Sequence, residues 1–199
     1  MTGTVLTTQS RRRGVRLELL TIGWNTVEAG VAIVAGAAAS SVALVGFGLD
    51  SVVEVSAALV VLWQFLGVGE ERERRALRLI GGSFFALAAY VAATSVYDLA
   101  TRAEPETSKV GIVLTAVSLV VMPALAWAKR RAGRQMESRT LVADSTQTQL
   151  CAYLSASTLA GLAANAAFGW WWADPLAAIV IAVVAVREGR EAWRGDTCC

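Results

Sequence analysis

Six long apolar runs alternate with short polar breaks along this chain, over residues 17–38, 42–68, 79–100, 110–128, 141–164 and 170–186. A helix needs roughly 20 mostly apolar residues to cross a hydrocarbon layer about 30 Å thick, so each run predicts one membrane span. In lipid a helix also satisfies its own backbone. The predicted fold is all-α, a six-helix transmembrane bundle over 17–186, with an N-terminal segment 1–16 and a short tail 187–199. The longest break on the outer face, 101–109, carries Pro105 and acidic residues and reads as an exposed loop without a site.

Composition agrees with lipid as the solvent: 55% of the 199 residues are apolar, with a mean hydropathy of +0.53. Six spans leave no room for a soluble domain. Net charge is only +2, but the basic residues are clustered. Arg11, Arg12, Arg13 and Arg16 precede the first run; Arg72, Arg74, Arg75 and Arg78 follow the second; Lys129, Arg130, Arg131, Arg134 and Arg139 follow the fourth; Arg187, Arg190 and Arg194 follow the sixth. With six crossings, all but Arg102 and Lys109 of the 18 Lys and Arg fall on one side, which predicts cytoplasmic termini in a multi-pass protein of the plasma membrane. The clusters are topology signals, and no nucleic-acid partner is implied.

Arg11–Arg13, an apolar stretch and Ala37–Ala39 imitate a signal peptide, but the stretch is too long and is taken as the first span. Three cysteines make no disulfide framework: Cys151 lies inside a run, while Cys198 and Cys199 end the chain and read as an inert reduced pair. Most of the seven tryptophans lie near run ends, as headgroup anchors do. Recurrent glycines suit close helix packing.

Carboxylates at mid-bilayer cost at least ~2.5–3.5 kcal/mol each, so those inside the runs mark function. Asp50 and Glu54 are four apart in the second run, hence on one helix face; Gln147 and Cys151 repeat the spacing in the fifth. The fifth run opens with Asp144-Ser145-Thr146-Gln147-Thr148-Gln149, too polar for lipid, and is predicted to lie at the bundle centre. Counted along oppositely directed spans, the two pairs share one depth, so a four-ligand site is geometrically open to them. Two carboxylates, an amide oxygen and a thiol suit a tetrahedral dication. Thiolate formation on binding would release a proton and couple occupancy to pH.

Leu49-Asp50-Ser51-Val52-Val53-Glu54 resembles the second-helix motif of cation diffusion facilitators, the cation efflux family. Leu141-Val142-Ala143-Asp144-Ser145 with Gln147 and Cys151 resembles their fifth-helix Ala-Asp-x-x-His-x-x-x-Asp segment, and Asp174-Pro175-Leu176-Ala177 the start of their sixth helix. The resemblance spans the chain. It implies a carrier with cytoplasmic ends, commonly a homodimer, exporting zinc or a related ion in exchange for protons. It also implies a metal site of Asp50, Glu54, Gln147 and Cys151. Gln147 stands where the family typically has His, and Cys151 where it has Asp. About a dozen residues follow the sixth run, so a short form lacking the family's cytoplasmic C-terminal domain is expected.

Function is thus expected to be metal export through a midplane site between the second and fifth helices, with zinc first and cadmium, cobalt or lead behind it. The metal is cargo, and no tightly bound cofactor is expected. A non-transporting membrane metal sensor or interaction protein is the alternative. Nothing supports an enzyme, since no nucleophile with its base is present. Asn25, Glu28 and Asp144 are candidates for an access path; Asn25 and Glu28 have a hydrogen-bonded packing role as their alternative, and Asp144 a helix cap or a contact to a neighbouring Arg.

Overall fold

The computed structural model describes residues 8–38, 42–67, 70–102, 108–168 and 170–195. Every predicted run is a helix: α1 Thr8–Ala38, α2 Val42–Phe65, α3 Glu70–Thr101, α4 Lys109–Gln135, α5 Arg139–Phe168 and α6 Ala173–Arg194. Most of the loop around Pro105, the Cys198–Cys199 pair and the Asp174 side chain lie outside the described residues. α1, α3, α4 and α6 extend past their apolar runs into the basic clusters. Arg, Glu, Gln and Ala are good helix formers, so the helix continues where the hydrocarbon stops. At the start of α3, Glu71 pairs with Arg74 at 2.8 Å and Arg75 at 3.0 Å, and three early acids suit the positive end of the helix dipole.

Polarity runs inside out. On α1, Glu18, Thr21, Asn25, Glu28 and Ala32 recur every three or four residues and are buried, whereas Leu20, Val27 and Val34 are 61–70% exposed. On α4 the buried stripe is Gly111, Thr115, Ser118, Met122, Ala126 and Lys129. A helix that shows Leu and Val outward and hides its polar residues is solvated by lipid. Among the described residues, Arg11–Ala38, Leu44–Phe65, Glu70–Thr101 and Lys109–Gln135 are each long and apolar enough to cross a membrane. The protein is a multi-pass integral membrane protein.

The helices associate as α1 with α2, α3 with α6 and α4 with α5. Glycine permits the closest approaches. A Cβ on Gly81 would meet the Gly189 carbonyl oxygen at 2.9 Å, and one on Gly48 would meet Ile33 Cγ1 at 2.7 Å. α4 and α5 are joined by a tight turn, with Ser138 N donating to Gly133 O at 2.9 Å and Ser138 Oγ accepting from Leu141 N at 3.4 Å. This turn makes them an antiparallel hairpin.

One end of the bundle gathers the basic clusters. There Arg11 donates to the Phe65 carbonyl, Arg139 donates to Glu73 at 3.2 Å and to the Gly195 carbonyl at 3.3 Å, and Thr140 donates to Gln64 at 3.2 Å. The ends of all six helices that the charge pattern assigns to one face therefore meet.

Candidate metal centre

α2, which carries one predicted donor pair, packs against α5, which carries the other. Asp50 is 2% exposed, Glu54 0%, Gln147 2% and Cys151 1%. The four-residue spacing keeps each pair on one helix face, and α5 is buried nearly all round over 140–152, as its polar sequence requires. Cys151 is a polar neighbour of both Asp50 and Glu54, and Thr148 of Glu54. Cys151 belongs to a buried apolar cluster with Ala32, Leu44, Phe47, Met122 and Ala152.

Hydrogen bonding is incomplete here. Asp50 Oδ2, both Glu54 oxygens, and Gln147 Oε1 and Nε2 are buried without a hydrogen-bond partner. Buried polar atoms are nearly always satisfied, so a cluster of unsatisfied oxygens on facing helices has the donor chemistry of a cation site. As they stand, the described residues hold no group of three or more His, Cys, Asp or Glu side chains arranged to hold a metal ion. Joint ligation by Asp50, Glu54 and Cys151 would therefore need side-chain or helix adjustment, and the Gln147 amide lies outside that set of residue types.

The access-path candidates separate. Glu28 accepts from Ser51 Oγ at 2.8 Å and from Trp24 Nε1 at 3.3 Å, and it brings a third carboxylate to bear on Asp50 and Glu54. Trp24 is thus part of an interior polar network rather than a headgroup anchor. Asn25 donates to the Thr21 carbonyl at 3.0 Å, while its Oδ1 is unpartnered. Asp144 neither caps α5, which begins at Arg139, nor binds an arginine. It forms a buried ion pair with Lys129.

Lys129 corrects its place among the surface charges. It is fully buried and reaches Asp144, Glu18 Oε2 at 3.3 Å and Thr148 Oγ1 at 3.2 Å, linking α1, α4 and α5. Sequence reasoning missed it because it abuts Arg130 and Arg131. Its place on the stripe Gly111, Thr115, Ser118, Met122, Ala126 was the available signal, as was Glu18 on the polar stripe of α1.

The pattern of the cation efflux transmembrane domain matches residues 19–194. The chain belongs to the cation efflux family. Among curated proteins of known sequence, this cation efflux chain is 26% identical to an uncharacterized transporter of Synechocystis over 88% of its own length and 60% of the relative's. It is 35% identical to the cation-efflux pump FieF of Shewanella oneidensis over 39% of its length and 26% of the pump's. To Transmembrane protein 163 of Xenopus laevis it is 25% identical, over 67% and 49%. The matches thus cover between a quarter and three fifths of these relatives.

Proposed function

We propose that this cation efflux protein exports a divalent transition or heavy-metal ion, zinc foremost and cadmium, cobalt or lead next, in exchange for protons. The ion is held near the midplane by Asp50, Glu54, Gln147 and Cys151 while α2 and α5 expose it alternately to the two sides. Both termini face the cytoplasm of a plasma-membrane homodimer. The observation that carries this is the set of buried, unpartnered oxygens of Asp50 and Glu54 on α2 beside the buried Cys151 thiol of α5, with the unpartnered Gln147 amide one turn from that thiol on the same helix. Proton exchange follows from the donor set. Metal ligands must be deprotonated, so taking up the ion drives protons off and releasing it takes them back.

The thiol biases the site toward softer ions than an all-oxygen site would take. Reconstituted vesicles loaded with a pH dye and given Zn, Cd, Co, Pb or Mn in turn test cargo and coupling together. Saturable uptake of Zn and Cd with opposite proton movement is expected. Binding without saturable flux for any ion would favour the sensor alternative.

A further inference from the structure

The two halves of the proposed site come from different helix pairs: Asp50 and Glu54 from α1/α2, Gln147 and Cys151 from the α4/α5 hairpin. Lys129 and Asp144 each lie about two turns in from the turn that joins α4 to α5, and Glu18 about two turns in from Arg11 at the same end. Glu54 lies about one turn deeper and Cys151 about two. The Glu18–Lys129–Asp144 layer therefore stands between the donors and the basic end of the bundle. Thr148 connects the two layers, since it accepts from Lys129 at 3.2 Å and neighbours Glu54.

The contacts of Lys129 are unequal. To Asp144, within its own hairpin, it makes a short hydrogen-bonded ion pair. To Glu18, on the other helix pair, it makes a longer ion pair of 3.3 Å, and neither Glu18 oxygen makes a hydrogen bond. When the pairs part at this end, the weaker link is the one that lies across the opening. A buried carboxylate left by its cation is costly, so the link can open only if water enters with it.

We propose that Lys129 is a positioning residue and the gate at the basic end: its ion pair with Glu18 closes the way from that end to Asp50 and Glu54, and this pair parts for the ion to enter while Lys129 stays with Asp144. The gate rests on the transport reading above, for it is the path to that site which it closes. In the closed form it also holds α5 in the register that sets Cys151 beside Asp50 and Glu54.

Cys151, fully enclosed here, reports the opening. In a Cys198→Ser, Cys199→Ser background in membrane vesicles of both orientations, a charged thiol reagent is applied from either side. Glu18→Gln is expected to raise Cys151 labelling from the basic end at least fivefold, with labelling from the opposite end unchanged or slower. Glu18→Asp, which keeps the charge but shortens the reach, is expected to give the same bias with a smaller increase. A generally loosened fold would label equally from both sides; that result, or an unchanged rate from the basic end in both variants, overturns the gate. Zn2+ binding by the unaltered protein in the same vesicles is measured separately. Its absence would overturn the metal reading while the side-resolved labelling still decided the gate.

Discussion

Asp50 and Glu54 stand one turn apart on α2, with Asp50 Oδ2 and both Glu54 oxygens buried and unpartnered, and the proposed function gives them a metal ion as partner. Glu54→Gln should therefore leave the protein folded, since an amide is less costly to bury unpaired than a carboxylate. It should weaken zinc binding by at least about a hundredfold, the upper end of what even outer-shell partners contribute. Calorimetry on detergent-solubilised protein checks this, and affinity within a few-fold of the unaltered protein would exclude Glu54 as a ligand. Cys151→Asp should shift preference from cadmium toward zinc or manganese, because a thiolate favours softer ions; an unchanged order in competition binding would make Cys151 a filler. Each proton shed on ligation makes affinity rise about tenfold per pH unit over the range where that donor is protonated in the free protein. Zinc titrations between pH 6 and 8 would count such protons, and a flat profile would remove the basis for exchange. That Asp50 and Glu54, and likewise Gln147 and Cys151, share one buried helix face was legible in sequence because four-residue spacing places side chains on one face regardless of tertiary context. Lys129 was not, because burial of a lysine is decided by Glu18 and Asp144 on other helices, and its sequence neighbours Arg130 and Arg131 are exposed.

The helices were legible as apolar runs, yet their ends were not, because hydropathy reports the hydrocarbon boundary and helix propensity reports the backbone. α3 shows both: its buried Ile80, Phe84, Leu87 and Val91 fall in the predicted run, while its first turns are Glu and Arg. Pairing of α3 with α6 depends on the contact of Gly81 with Gly189, which hydropathy does not register. Gly81→Ala places a methyl 2.9 Å from a backbone oxygen and should destabilise the protein by about 1–3 kcal/mol through forced separation of the helices. Gly82→Ala meets nothing within 4 Å and should be neutral or stabilising by up to about 1 kcal/mol from helix propensity alone. Thermal melting of both variants in one detergent decides this, and an equal response at the two positions would contradict the packing described.

At the scale of the molecule, the sequence pattern of alternating basic clusters agrees with the contacts that bring Arg11, Phe65, Glu73, Arg139 and Gly195 to one end of the bundle. Positive residues are retained on the cytoplasmic side, so that end and both termini should be cytoplasmic. Reporter fusions at residue 1 and residue 199 should both be active only with a cytoplasmic reporter, and opposite locations would contradict an even number of crossings. The proposed function has a dication cross between α2 and α5 in exchange for protons. It is tested most directly by zinc-driven proton flux in proteoliposomes carrying the unaltered protein or Asp50→Asn. Saturable zinc uptake with opposite proton movement, lost in the variant while its melting temperature is kept, is the predicted result; equal flux through both proteins would contradict it.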